Sequence, residues 1–430
     1  MARTLAEALI ASHTTDRAEP GSICRVRVDF AFANDITGAP AIEEFSRMGA
    51  ERVFDPKRCA IVPDHFTPNK DIASARQVQA ARRFAREQGM LFWEVGRAGV
   101  EHAFLPEKGL ILPGEVILGA DSHTCTGGAL GAFATGVGST DLAGAWALGE
   151  TWFRVPETIR VEVEGKPSPW VTGKDLILSL IGMIGVEGAR YAALEFGGEG
   201  IAALPMDDRF TVANMAVEAG AKVGLFVPDD RTIDYATARA ARPFEAAYPD
   251  PGASYARTVR IDAGKLEPVV ALPHLPSNVK PAKECESLEL DQVFIGSCTN
   301  GRLRDLELAA AVLKNRTVHE RVRLVVIPAT VEVFAEAMKR GFIETFIEAG
   351  ASVSTATCGP CLGGHYGILA PGERCLSTSN RNFVGRMGHA GSEVLLAGPL
   401  VAAASAVTGR VTDPRELFGV DALPKGGEGE

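Results

Sequence analysis

Three cysteines stand where thiolate chemistry is easy to build. Cys298 lies in Gly-Ser-Cys-Thr-Asn-Gly, and sixty residues later Cys358 and Cys361 form a Cys-Gly-Pro-Cys turn inside Thr-Ala-Thr-Cys-Gly-Pro-Cys-Leu-Gly-Gly. Glycines and small polar residues around each cysteine let backbone N–H groups approach a thiolate or a sulfide. Pro360 stiffens the turn, so its two sulfurs are held for one centre. On spacing alone three chemistries are equally served. They are a zinc site of three thiolates completed by His365, a dithiol redox couple, and three corners of a cubane iron–sulfur cluster. In the last, one iron is left without a thiolate and can act as a Lewis acid.

A second group of residues suits proton transfer. Asp64-His65, Glu101-His102 and Asp121-Ser122-His123 each set an imidazole beside a carboxylate. A lone histidine is most often a satisfied polar residue, but a neighbouring acid at a strand end supplies what a general acid or base needs. His13, His274, His319 and His389 have no such neighbour, and His365 reads as a neighbour of the thiolates rather than a ligand. Arg381 and Arg386, in Ser-Asn-Arg-Asn-Phe-Val-Gly-Arg, offer guanidinium forks that match carboxylates bidentately. The remaining cysteines read as structural, Cys125 beside the Asp121–Thr124 motif included.

The elements that must hold these groups follow one pattern: a short β-branched run, a turn carrying the reactive residues, then a helix-period segment. Residues 59–63 end at Asp64-His65, and a helix follows from 71 to 87 with Asp71 as its N-cap and Gly89 just beyond its end. Residues 116–119 end at Asp121, 293–296 at Ser297-Cys298, and 352–355 run towards Cys358. Strands alternating with helices predict an α/β chain with largely parallel sheets, whose reactive residues lie beyond the carboxyl ends of strands. A prolyl-rich stretch, 242–286, and a weaker break near Pro156 divide the chain into 1–156, 157–286 and 287–430. No internal repeat is evident.

Composition narrows the function classes. The 430 residues carry a net charge of −10, which disfavours phosphate backbones, so nucleic-acid binding is not expected. A few converging arginines would still bind a small anion. No apolar run reaches the roughly 18 residues of a membrane span, and the first fifteen residues lack the apolar core of a signal peptide. The expected location is the cytoplasm, where eight sparse cysteines imply metal or catalysis rather than disulfides.

Taken in order, Asp64-His65, Glu101-His102, Ala120–Thr124, Glu195-Phe196, GSCTN, TATCGPC and SNRNFVGR resemble the aconitase superfamily along nearly the whole chain. Within it the resemblance is to the large subunits of 3-isopropylmalate dehydratase and homoaconitase. It implies three α/β domains around a central cleft with one [4Fe–4S] cluster, held by Cys298, Cys358 and Cys361 with Asn380 nearby, and no swivelling fourth domain. It implies that His65 protonates a departing hydroxyl, with Asp64 setting its charge. His102, Asp121, His123 and Glu195 would orient iron-bound water and hydroxyl. Arg381, Arg386, Ser122 and Asn34 would contact a di- or tricarboxylate hydroxy acid. A separate small subunit would bring the swivelling domain and the serine base. The reaction implied is isomerisation of 2- and 3-isopropylmalate by dehydration and rehydration. Homoaconitase and methylated-malate dehydratase are the alternatives within that chemistry, and a zinc or thiol-redox protein is the alternative outside it.

Overall fold

A computed structural model describes residues 2–419; the tail rich in Gly and Glu lies outside them. Among the described residues two compact units emerge: residues 2–164 with 187–261, and residues 165–186 with 262–419.

The first unit is built on a five-stranded parallel sheet. Its spatial order is Leu91–Phe92, Cys59–Val62, Phe30–Asn34, Val116–Gly119, Phe133–Gly136. Every residue of the Phe30, Cys59 and Val116 strands is buried, as expected for strands covered on both faces. The order reverses between the first and fourth strands, Phe30–Asn34 and Val116–Gly119. Such a reversal opens a crevice at the carboxyl ends. The helix Ile72–Gln88 covers part of the sheet. Asp71 caps it by accepting from Ser74 N–H, and Gly89 ends it at φ 70°. Its buried Phe84 meets Phe45 with ring centroids 5.3 Å apart, and such a side chain is worth about 1.5–3 kcal/mol when fully buried. A second sheet places Val223–Phe226, Ala193–Gly197 and Thr158–Glu164 side by side and parallel, with Arg257–Asp262 at the edge. The 3₁₀ turn Ser122–Leu130 lies against it. A Cβ on Gly128 would sit 2.0 Å from the carbonyl oxygen of Gly224, so only glycine permits this approach.

The second unit repeats the first topology without repeating its sequence. Five parallel strands run in the order Ser352–Val353, Arg323–Val326, Gln292–Ile295, Arg374–Ser377, Glu393–Ala397. The hairpin Val269–Ala271 and Val279–Pro281 extends the sheet antiparallel beyond Glu393–Ala397. Again the reversal falls between the first and fourth parallel strands, Gln292–Ile295 and Arg374–Ser377. The helix Pro399–Thr408 is buried along residues 399–406 and shares the core with Leu306, Val312 and Phe346.

These units differ from the division expected at 156/157 and 286/287. Two short strands, 269–271 and 279–281, sit inside the prolyl-rich stretch read as a connection, and they belong to the second sheet. The apolar helix Gly173–Ile184 goes with that sheet too, because Asp175 accepts from Val269 N–H at 3.0 Å.

Candidate active site

In the first unit the reversal point gathers the imidazole–carboxylate groups. Asp35 opens the helix Asp35–Arg47, and its two carboxylate oxygens accept from Asp64, His65 and Phe66 N–H at 3.0, 2.8 and 2.8 Å. Three amides on one buried carboxylate fix the loop that follows strand Cys59–Val62. On that loop His65 Nδ1 lies 2.5 Å from Asp64 Oδ1, and the other Asp64 oxygen accepts from Glu101 N–H at 2.7 Å. Burial works against a charge on His65. The adjacent Asp64 outweighs it, and Asp121 adds to it, so His65 holds its proton well above the ordinary histidine range.

Asp121 is the hub of the set. Its Oδ1 accepts from His102 Nε2 at 2.8 Å and from His123 N–H at 2.8 Å, while Oδ2 lies 3.8 Å from His65 Nε2. Burial would raise this carboxyl, but the bonds from His102 and His123 hold it well below the carboxylate range. Asp121 is therefore an anion among imidazoles. Ser122 follows it, half-buried, as the first residue of the 3₁₀ turn.

Two further carboxylates complete the arrangement: Glu218, which the sequence did not single out, and Glu101, which it set beside His102. Glu218 Oε1 lies 2.8 Å from His123 Nε2, giving a third imidazole–carboxylate pair. Glu101, fully buried, accepts from Asn34 Nδ2 at 3.0 Å through Oε1, which lies 3.5 Å from His102 Nε2. Its other oxygen is buried without a hydrogen-bond partner. Burial first, and then the charges of Asp64 and Asp121, push Glu101 well above the carboxylate range, so it stays protonated.

Two expectations are corrected here. Glu195 does not join the imidazoles. Fully buried, it accepts from Leu5 N–H at 2.9 Å, Arg160 Nη1 at 2.9 Å and Tyr255 Oη at 2.6 Å, and so ties the N-terminal helix to the second sheet. The carboxylate beside an imidazole is Glu218. Asn34 is fully buried, and both of its polar atoms are engaged within the protein. Its Oδ1 caps the helix Asp35–Arg47 through Ile36 and Thr37 N–H, and its Nδ2 is spent on Glu101.

In the second unit the reversal point gathers the thiols. Cys298 sits in the helical turn Ser297–Asn300 after strand Gln292–Ile295, Cys358 precedes the turn Gly359–Leu362, and Cys361 lies within it. All three are buried. Asn380, beyond strand Arg374–Ser377, lies between two of them: Nδ2 is 3.4 Å from Cys298 Sγ and Oδ1 is 3.8 Å from Cys361 Sγ. Arg386 Nη2 donates towards Cys361 Sγ at 3.7 Å, and Arg381 is half-buried next to Asn380. His365 pairs through Nε2 with Thr357 Oγ1 at 3.3 Å.

Three buried thiols with N–H groups aimed at two of their sulfurs are a donor set that fits an iron–sulfur cluster. Amide and guanidinium groups beside the sulfurs are what cluster thiolates require.

Beneath these loops lies a lysine that the sequence did not single out. Lys174 is fully buried, with Nζ donating to Thr378 O at 2.8 Å, Ser379 O at 2.5 Å and Asn300 Oδ1 at 3.3 Å.

The sequence model of the aconitase family (aconitate hydratase) matches residues 7–409. The chain is 59% identical to the 3-isopropylmalate dehydratase large subunit of Moorella thermoacetica, over 97% of this chain and 100% of that protein. It is 58% identical to the protein of the same name from Desulfitobacterium hafniense, with the same coverage. It is 56% identical to 3-isopropylmalate dehydratase large subunit 1 of Pyrococcus furiosus, over 96% of this chain and 99% of that protein. With the family's motifs seated at two matching sheet reversals and the match running almost end to end, the chain belongs to the aconitase family.

Proposed function

We propose that this chain is the large subunit of a hydro-lyase that isomerises 2- and 3-isopropylmalate by dehydration and rehydration in leucine biosynthesis. The substrate rests on one observation: 56–59% identity, along nearly the whole chain, to proteins named as that subunit. Cys298, Cys358 and Cys361 would hold the [4Fe–4S] cluster, which supplies Lewis acidity towards the substrate's hydroxyl and carboxylate.

The chain's own residues supply the rest. His65 carries the proton that the departing hydroxyl needs, and Asp64 at 2.5 Å keeps it charged until it is given up. Asp121 fixes His102 and the turn bearing His123, and Glu218 orients the His123 ring through Nε2. Arg381 would bind a substrate carboxylate by its fork, joined by whatever part of Arg386 is not engaged with Cys361. Ser122, at the mouth of the same turn, would hydrogen-bond to substrate. The base that removes the Cα proton comes from the partner, a small subunit carrying a swivelling domain and a serine. No helix among the described residues is long and apolar enough to cross a membrane, and the pair would work in the cytoplasm.

The test starts with anaerobic purification and measurement of iron, acid-labile sulfide and zinc in one sample. About three to four irons with matching sulfide are expected, and a colourless protein with one zinc would overturn the cluster. The chain combined with its small subunit should then dehydrate 2-isopropylmalate and restore growth of a leucine auxotroph. Activity confined to homocitrate or methylated malates would reassign the substrate while leaving the chemistry in place.

A further inference from the structure

Lys174 does nothing in the acid–base chemistry above, yet few residues are as costly to bury. A lysine at zero exposure is rare unless its environment matches it. Here it does. The three acceptors around Nζ, two backbone carbonyls and one amide oxygen, match the three N–H bonds of an ammonium group. A neutral amine has only two N–H bonds and would turn its lone pair on one of these oxygens. The acceptors also belong to two different loops. Thr378 and Ser379 lead directly into Asn380, which touches Cys298 and Cys361. Asn300 is two residues beyond Cys298 and is held in turn by Asp305, whose Oδ1 accepts from its amide at 2.9 Å. Burial pulls the Lys174 amine down from its ordinary range to about 7, while Asp305, Cys361 and Cys298 act in the opposite sense and favour the charged form.

We propose that Lys174 is the positioning residue of the thiolate centre: its buried ammonium ties the Cys298 loop to the Asn380 loop and offsets the negative charge of the thiolates and of the cluster they carry. The inference rests on the cluster assignment above. It adds that the centre's charge balance is set from below by the helix Gly173–Ile184, and not by the solvent side alone. Cluster potentials follow net charge and local hydrogen bonding, so a fixed cation under the loops raises the midpoint potential. It also keeps the loops in place when an iron is lost.

The experiment uses the full chain, purified anaerobically, as wild type, Lys174→Gln and Asp305→Asn. Glutamine keeps a donor towards the carbonyls and removes the charge, while asparagine removes the strongest acidic neighbour. Folding is checked by circular dichroism, cluster content by iron and sulfide, retention by the rate of iron loss to a chelator, and the charge by the midpoint potential. Lys174→Gln should lose iron roughly 10–100-fold faster, the usual penalty for losing a supporting group, and its potential should fall. Asp305→Asn should move the potential the opposite way, so the inference is tested even where Lys174→Gln does not fold. Potentials unchanged in the folded variants overturn it whatever happens to iron retention, because a lysine that merely fills space alters packing and not the field at the sulfurs. A wild-type chain that binds no iron overturns the cluster assignment itself, and this inference with it.

Discussion

Replacing Glu101 by Gln should stabilise the protein, and by more as the pH rises. In the unfolded chain Glu101 titrates near its ordinary value of 4.5, whereas in the folded chain burial and the charges of Asp64 and Asp121 move it well above that. A carboxyl raised in this way contributes stability that is complete below the unfolded value and is lost as pH rises through the folded one. Across that window unfolding releases a proton, so the wild type loses about 1.4 kcal/mol per pH unit relative to a variant without the group. Gln can still accept from Asn34 through its oxygen, and it places an N–H₂ where Glu101 has a partnerless oxygen. As pH rises above the ordinary carboxylate range the gap should therefore widen in favour of Gln, by about 1.4 kcal/mol per pH unit for as long as Glu101 keeps its proton in the folded chain. In a unit of about 240 residues each kcal/mol shifts the melting midpoint by roughly 2–4 °C. Melting curves of both proteins, matched for cluster content, should diverge as pH rises, by roughly 3–6 °C per pH unit across that window. Parallel profiles would refute the reasoning, because they would mean that Glu101 is ionised in the folded chain. A variant less stable at every pH would mean that the ionised form is paired after all.

Other expectations follow from the same geometry. Asp35→Asn removes one charged acceptor from the Asp64–Phe66 loop and should cost about 1.5–3 kcal/mol in urea unfolding, with a fall in kcat larger than any change in KM. Glu218→Gln keeps a bond to His123 but not its charge, so kcat of the reconstituted complex should drop roughly tenfold, about 1.4 kcal/mol of barrier. Glu195→Gln should lower the melting midpoint, as loosening a buried pair with Arg160 does, and leave kcat within about twofold. Equal kinetic losses in the two Gln variants would contradict the reassignment from Glu195 to Glu218. Arg381→Lys should retain iron and raise KM for the dicarboxylate, since an ammonium cannot reproduce the fork, and unchanged kinetics would remove Arg381 from the substrate site.

Local signals in the sequence carried far. Asp71 and Gly89 bound a helix as read, and the Cys59 and Val116 strands lie where their short apolar runs put them. The reactive motifs were legible because chemistry at a strand end forces acids, imidazoles and thiols into short turns. Groups that meet across the fold were not. Glu218 carries no histidine or cysteine beside it, and its partner His123 is 95 residues away. Lys174 sits in an apolar helix whose pattern speaks of burial and not of what the buried amine touches. The shared topology of the two parallel sheets also left no trace, since strand order is decided by crossovers and many sequences satisfy the same buried pattern. Glu195 misled because Glu-Phe at a strand end looks the same whether the carboxylate meets a substrate or an arginine.

The chain passes between its two units three times, after residues 164, 186 and 261, and this has a consequence for synthesis. Neither unit is a continuous stretch, so neither is complete on the ribosome when its first segment has emerged. The helix Gly173–Ile184 is made early, yet its sheet partners Val269–Ala271 and Val279–Pro281 follow about 90 residues later. At roughly 5–20 residues per second an almost wholly apolar helix waits on the order of ten seconds for its cover. That interval is where a nascent-chain chaperone would find its target. It is also where a gene cut to express the cysteine-bearing half from residue 262 would fail, since the fragment would lack the helix that closes its core.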